Sequence, residues 1–146
     1  MRIQQAYIGV GSFKEAFLKK YGLLPYSDPE SPAVFFGCYQ KQWHKYLIPH
    51  NGLGIMIWAG SDAIHLSKNL SVQKVLKRKR NIVHVAISDF IAHDLEKMGL
   101  KYHRLAITPH VSNLNPLPLG DRVYTYIPKV KPNFYGLPLV KRWQKE

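Results

Sequence analysis

Three apolar runs of strand length constrain the fold more than any other feature of the sequence. They occupy residues 33–38, 53–59 and 81–87. The first two are apolar almost throughout, as expected of strands buried on both faces of a sheet. Segments with helical spacing of apolar residues separate the runs. This alternation predicts a Rossmann-like α/β fold, a parallel sheet with helices on both faces.

Four helices are predicted between and beside these strands. Ser12 and Glu15 have the spacing of a capping box, which starts a helix with an apolar stripe of Phe13, Phe17 and Tyr21 that ends at Gly22. A second helix covers residues 40–47 and stops before Pro49. The third covers residues 70–80 and the fourth follows Ser88 and ends at Gly99. Their predicted inward residues are Leu70, Val72, Val75 and Leu76 in the third helix, and Phe90, Ile91, Leu95 and Met98 in the fourth.

Two outer strands and a change of character complete the predicted organisation. Residues 3–10 and 103–107 are predicted strands, and residues 24–32 a loop. We expect an amino-terminal domain at residues 1–111 and a Pro-containing linker at 112–121. Residues 122–146 predict one strand and one helix, which either pack back on the first sheet or begin a second, truncated domain.

The charge balance favours an anionic partner. Twenty-one Lys and Arg against nine Asp and Glu give a net charge of +12, which attracts nucleic acid, anionic lipid or phosphorylated ligands. The densest run consists of Lys74, Lys77, Arg78, Lys79 and Arg80. Three interpretations of this run stay open: a solvated helix face, a site that binds an anionic membrane surface, or a site that binds nucleic acid. Nucleic acid is the weakest of these, because the strands show no RNP-like aromatic pattern and no zinc-finger or homeodomain pattern is present.

Cysteine content and hydropathy give an expected compartment. Cys38 is the one cysteine, so an internal disulfide is excluded and a reducing compartment is favoured. The longest nearly uninterrupted apolar stretch, residues 53–60, is less than half of what a membrane-spanning helix needs. The sequence therefore predicts a cytoplasmic protein, with peripheral attachment to a membrane left open.

Glycines after the first predicted strand form one candidate binding turn. Gly9, Gly11 and Ser12 lie between a strand and a helix, where backbone N–H groups can cradle a phosphate. A tight turn explains the two glycines equally well. Lys14 stands where the dinucleotide fingerprint has its third glycine, so NAD binding is not predicted.

A second candidate turn follows the second buried strand. Gly60, Ser61 and Asp62 lie at its carboxyl end, where parallel sheets place their ligand crevice. Asp62 is the candidate catalytic residue, as a base or as an acceptor of hydrogen bonds from sugar hydroxyls; the alternative is that it only closes a turn or caps a helix. His65, three residues later, could face Asp62 across a helical turn. No metal site, nucleophile elbow or Walker motif is predicted.

Residues 82–118 resemble the end of the amino-terminal domain of family 4-like glycosyltransferases with the GT-B fold. In that family a strand ends in Ser, a helix carries Leu and then Gly, and a short strand ends in Pro before an Asn-Pro segment. The matching residues here are Ser88, Leu95, Gly99, Pro109, Asn115 and Pro116. The strand that ends in Gly60-Ser61-Asp62 is similar to that family's Gly-x-Asp turn, with Ala59 where many relatives have histidine. Residues 123–126 with Tyr135-Gly136 resemble the start of the family's second domain.

The resemblance implies transfer of a sugar from a nucleotide-sugar donor to a hydroxyl acceptor, either a glycan or a lipid-linked molecule. This chain would supply the acceptor side, without a tightly bound cofactor, and a carboxyl-terminal nucleotide-binding domain would hold the donor. We therefore expect the isolated chain to be an incomplete and inactive hexosyltransferase-like enzyme. Two other functions stay open: a non-catalytic basic module that binds RNA or an anionic surface, and a small phosphotransferase or reductase that uses the turn at residues 9–12.

Overall fold

Six parallel strands form the sheet in a computed structural model of the protein, which describes residues 2–9, 11, 14–105 and 141–142. The strands are β1 Gln5–Ile8, β2 Leu24–Pro25, β3 Ala33–Phe36, β4 Gly54–Trp58, β5 Ile82–Ala86 and β6 Tyr102–Arg104. Their order across the sheet is β2-β1-β3-β4-β5-β6, and every neighbouring pair is parallel. The predicted strands at residues 3–10, 33–38, 53–59 and 81–87 are thus present with shorter bounds.

Five helices connect these strands and cover both faces of the sheet in the described part of the chain. They are α1 Lys14–Tyr21, α2 Gln40–Gln42 with a π-helical turn Trp43–Leu47 behind it, α3 Ser61–Ser67, α4 Leu70–Arg78 and α5 Asp89–Lys97. Phe17 of α1 packs in a cluster with Ala6 and Val34 on one face. The other helices share a larger cluster with Phe35 and Met56 on the opposite face. The prediction of a Rossmann-like parallel sheet with helices on both faces is confirmed.

Strand β4 shows that the two faces are covered unequally. Its residues alternate, with Met56 and Trp58 fully buried and Ile55 and Ile57 half-buried. Complete burial of both faces, as the apolar run predicted, was therefore wrong for this strand. The reason is the distribution of helices: α3, α4 and α5 pack on the side of Trp58, and α1 is the one described helix whose residues pack with Ile55 and Ile57.

Two local elements differ from the predicted ones. The short strand β2 lies inside the segment predicted as a loop, where Leu24 N donates to Gln4 O over 2.9 Å. Helix α3 was not among the four predicted helices, although a helical turn was considered for Asp62 and His65. It is only seven residues long, and Ser61, His65 and Ser67 interrupt its apolar spacing.

Several residues predicted to face inward lie in solvent instead. Leu70 is 69% exposed and Phe90 65% exposed, and Val75 is also exposed. The first two stand in the first turn of their helices, where the core does not cover them. Gln73 takes the inward position that the prediction gave to Val75, and its Nε2 donates to Leu66 O and Ser67 O. The side-chain amide of Gln73 can be buried without leaving its N–H group unpaired, because it finds acceptors at the end of α3.

The predicted caps at Gly22, Ser88 and Gly99 are confirmed, whereas the third helix ends at Arg78 and not at residue 80, because the backbone of Lys79 is extended. Ser88 Oγ accepts a hydrogen bond from Ile91 N at the start of α5. Gly22 and Gly99 follow α1 and α5 with φ values of 60° and 68°, which favour glycine. The predicted cap at Ser12, the linker at 112–121 and the elements predicted within 122–146 lie outside the described residues, apart from Lys141 and Arg142, which are helical.

A buried histidine bridges two central strands. Trp58 Nε1 of β4 donates to His84 Nδ1 of β5 over 3.1 Å. Because Nδ1 accepts this bond, the neutral ring carries its proton on Nε2. Burial lowers the pKa of His84 to about 4 from its usual 6.5, since the low-dielectric interior disfavours the imidazolium. His84 is therefore a neutral member of the core at neutral pH.

This burial predicts a loss of stability in acid. Because the folded-state pKa of His84 lies below the unfolded one, the unfolded chain binds the extra proton between the two values. The contribution of neutral His84 to the free energy of unfolding is complete above pH 6.5. It falls by up to about 3 kcal/mol as the pH is lowered towards 4. Urea unfolding between pH 7 and pH 4 measures it. His84→Gln should flatten this dependence, whereas His93→Gln, on the exposed side of α5, should leave it unchanged.

Candidate functional site

The strand order reverses its direction beside β1, and this reversal marks the carboxyl edge of the sheet as the candidate site. Strand β1 pairs with β2 on one side and with β3 on the other, so the chain leaves β1 and β3 in opposite directions across the sheet. Parallel α/β sheets bind ligands at the carboxyl ends of strands beside such a reversal. The segments that follow β1, β3 and β4 here contain Gly9, Tyr39 and Ser61. They form the candidate site.

Backbones at the ends of β1 and β3 approach each other closely. Gly9 N donates to Phe36 O over 2.8 Å, and a Cβ on Gly9 would lie 1.9 Å from Gly37 O. Gly11 differs, because a Cβ there would meet nothing within 4 Å. Packing against β3 therefore accounts for Gly9 without any ligand. Ser12, the third predicted residue of this turn, lies outside the described residues.

A matched pair of alanine substitutions separates the two glycines. Gly9→Ala should lower the free energy of unfolding by about 1–3 kcal/mol, because the new methyl group forces the ends of β1 and β3 apart. Gly11→Ala should change it by less than about 0.5 kcal/mol, since the added atom enters open space. Chemical denaturation of both variants measures the difference. Equal effects would contradict the close packing between β1 and β3.

Asp62 holds the turn between β4 and α3. The residue is 1% exposed, and its carboxylate accepts hydrogen bonds from Ala59 N, Gly60 N and Ala63 N. Gly60 has φ 157° and ψ −119°, a conformation that is accessible mainly to glycine. Burial raises the pKa of Asp62 against the lowering effect of these N–H donors. The contacts match the turn-closing alternative, and a catalytic role for Asp62 stays a prediction.

Tyr39, Ser61 and His65 form a polar group that we call the crevice cluster. Tyr39 Oη and Ser61 Oγ are 3.2 Å apart, in a hydrogen bond that either can donate. The His65 ring lies edge-on to the Tyr39 ring, with centroids 5.9 Å apart. His65 is exposed and Asp62 is buried, so the two are not the facing pair that their spacing suggested. His65 instead joins Ser61, which was predicted, and Tyr39, which was missed.

A signal for Tyr39 was present in the sequence. It comes directly after the first apolar run and is the residue before α2. The same reasoning that singled out Ser61 after the second run therefore applies to it. Cys38, its neighbour, is fully buried, and burial raises the pKa of this thiol far above its usual range. Cys38 is thus an inert core residue.

A small cleft continues the carboxyl edge at β5 and β6. It has a volume of about 240 Å³ and is lined by Ser88 and Leu105, among others. Arg104 forms an ion pair with Asp89 beside it. Both side chains are largely exposed, so this pair contributes little to stability. Its effect is to place one charge of each sign at the rim of the cleft.

Four of the five cations of the predicted anionic surface are exposed, and one is not. Lys74, Lys77 and Arg78 lie on α4, and Arg80 follows it. Lys79 is half-buried, and its Nζ donates to Ile48 O over 2.8 Å and to His50 O over 2.7 Å. Assigning Lys79 to an outward basic face was therefore wrong. The acceptors come from a turn some thirty residues earlier in the chain, which a local charge pattern cannot reveal.

The different environments of two lysines predict different effects on stability. Lys79→Met should lower the free energy of unfolding by about 1–3 kcal/mol, because two carbonyls lose a charged donor. Lys74→Met, on the exposed face of α4, should change it by less than about 0.5 kcal/mol. Urea denaturation of the two variants in parallel measures this. A loss of the same size in both would contradict the structural role of Lys79.

Comparisons with known proteins add no assignment. No family model, no curated protein and no solved structure matches the chain. In residues 2–9, 11, 14–105 and 141–142, no three His, Cys, Asp or Glu side chains are grouped so that they could hold a metal ion. Over those same residues, no helix combines the length and apolar character that crossing a membrane requires.

Proposed function

We propose that this chain is the acceptor-binding part of a glycosyltransferase that transfers a sugar from a nucleotide-sugar donor to a hydroxyl group. The acceptor would be a glycan or a lipid-linked molecule, bound at the carboxyl edge of the sheet. The observation that carries the proposal is the crevice cluster beside the reversal of strand order. The likeness of the Gly60-Ser61-Asp62 turn to a family 4-like glycosyltransferase turn is the second support.

The crevice cluster has the chemistry that a hydroxyl-rich ligand needs. The hydroxyls of Tyr39 and Ser61 each donate and accept hydrogen bonds, and a sugar hydroxyl could join or replace the bond between them. The rings of Tyr39 and His65 stand at 80° to each other, which offers an apolar face beside polar edges. Such a mixture of ring surface and a few fixed polar groups is typical of small-ligand sites.

Asp62 has an indirect part in this proposal. Its carboxylate fixes the backbone of Ala59 and Gly60, so that Ser61 starts α3 within reach of Tyr39. We infer that Asp62 is a positioning residue for the crevice cluster. Direct contact of its carboxylate with an acceptor would require the turn to open, because the residue is almost completely buried.

Removal of one hydroxyl tests the proposal. We expect saturation-transfer NMR with a panel of oligosaccharides, with and without nucleotide sugars, to detect a bound saccharide. Tyr39→Phe should weaken its binding about three- to tenfold, the effect of one hydrogen bond, while the ring and the fold are kept. Tyr21→Phe, which removes a hydroxyl from the exposed end of α1, is the matched control.

Two outcomes would contradict the proposed function. One is that no saccharide in the panel gives a signal with the wild-type chain. The other is that Tyr39→Phe and Tyr21→Phe weaken binding equally, which would place the saccharide away from the crevice cluster. Circular dichroism of the variants ensures that a loss of binding is not a loss of fold.

A further inference from the structure

A basic groove lies at the opposite, amino-terminal end of the strands from the crevice cluster. It runs between the end of α4, the start of β5 and the turn after α5, with a volume of about 480 Å³. Ligand sites for small molecules are of this size. Four cations line it in the described part of the chain: Lys77, Lys79, Arg80 and Lys101. We call it the amino-edge groove.

Among the described residues, no carboxylate forms an ion pair with the cations of this groove. Its described lining contains no carboxylate, and Glu96 lines a second space that shares His84 and Lys101 with the groove. Lys77 reaches across from α4 to the turn after α5, where a Cβ on Gly99 would lie 3.4 Å from its Nζ. The ion pair found among the described residues joins Arg104 and Asp89, at the other edge of the sheet. Lys77, Arg80 and Lys101 thus converge without an acidic partner there.

Helix ends alone do not explain these cations. The negative ends of α4 and α5 attract lysines, but several carbonyls in their last turns already have backbone donors. Lys79 N donates to Val75 O and Leu76 O, and the N–H groups of 98–100 donate to carbonyls of α5. These carbonyls therefore do not need the cations at the rim as hydrogen-bonding caps.

A neutral donor in the floor of the groove points to a ligand independently. His84 lines the groove and is only 5% exposed. Its Nδ1 accepts from Trp58, so Nε2 carries the proton, and no hydrogen bond from Nε2 to a described residue is found. Among described buried side-chain atoms sealed from solvent, His50 Nε2 is the one without a partner. His84 Nε2 is therefore not sealed, and it reaches the groove as a free donor.

We propose that the amino-edge groove binds a phosphate group, with Lys77, Arg80 and Lys101 supplying positive charge and His84 Nε2–H donating a hydrogen bond from the floor. Phosphate oxygens accept from all of these donors, and an arginine can bind two of them at once. This site goes beyond the proposed sugar transfer, because it lies at the other edge of the sheet and uses none of the crevice residues. The phosphate belongs either to a soluble molecule or to a lipid headgroup.

Two double variants of equal charge test the groove. Lys77→Gln with Lys101→Gln removes two lining cations, whereas Lys74→Gln with Arg78→Gln removes two exposed cations of α4 outside the groove. Calorimetric titration with inorganic phosphate should show binding by the wild type. We expect the first pair to weaken it about tenfold or more and the second less than about threefold. Equal weakening by both pairs would overturn the proposal, because it would indicate diffuse attraction to a basic protein.

NMR of the wild-type chain tests the floor of the groove without a risk to folding. The Nε2 resonance of His84 should shift on addition of phosphate and stay in place on addition of the same concentration of chloride. An unchanged His84 resonance at saturating phosphate would overturn the proposal.

Vesicles distinguish the two sources of phosphate. Phosphatidylcholine vesicles with and without phosphatidic acid are sedimented with each double variant. A lipid headgroup is indicated if sedimentation depends on phosphatidic acid and is lost when Lys77 and Lys101 are both replaced by Gln. Binding of inorganic phosphate without such sedimentation indicates a soluble ligand. An absence of phosphate binding, or RNA binding that phosphate does not compete with, would overturn the assignment of the groove.

Discussion

Parallel pairing of buried strands is the constraint on which the rest of this structure depends. Each strand must return to the same starting edge before it can pair, so every connection crosses the sheet from one end to the other. All carboxyl ends therefore gather at one edge and all amino ends at the other. The two edges are chemically different: hydroxyl groups and the Arg104–Asp89 ion pair lie at one, and lysines and an arginine at the other.

The same constraint divides the core into a larger cluster on one face of the sheet and a smaller cluster on the other. Trp43, Trp58 and Phe35 are completely buried on the face that carries α3, α4 and α5. Two buried indoles enter that core with partners: Trp43 Nε1 donates to Cys38 O, and Trp58 Nε1 to His84. Such bonds matter because an unpaired donor in this environment costs about 1–3 kcal/mol. The side with α1 has smaller clusters and half-buried isoleucines.

Sequence patterns located the sheet well because strand burial is a property of consecutive residues. The runs around Phe35, Met56 and Val85 are readable without any knowledge of their neighbours. Helix faces were predicted less well, as Leu70 and Phe90 show. The apolar spacing of each helix includes its first turn, but the core does not cover that turn. Helix α3 was missed because seven residues are too few to give a periodic signal.

The candidate site was predicted only in part, for a different reason. Gly60, Ser61 and Asp62 follow a readable strand, so their position at the carboxyl edge could be derived. That Asp62 turns inward and His65 outward depends on where helix α3 begins, which no spacing rule fixes to one residue. Tyr39 and Ser61 meet across 22 positions, and Lys79 reaches carbonyls 29 and 31 positions away. Such pairings are properties of the finished topology.

The side chains of Lys79 and Asn81 hold the turn before β4, and we call this set of hydrogen bonds the clamp. Lys79 and Asn81 together donate to carbonyls of Ile48, His50 and Gly52. These bonds close loops of roughly thirty residues, and the entropy of closure must be met before any of them forms. They can form only after α3 and α4 have carried the chain back across the sheet. The clamp thus joins the two ends of a completed β4–helix–β5 unit, and its bonds depend on that whole unit being in place.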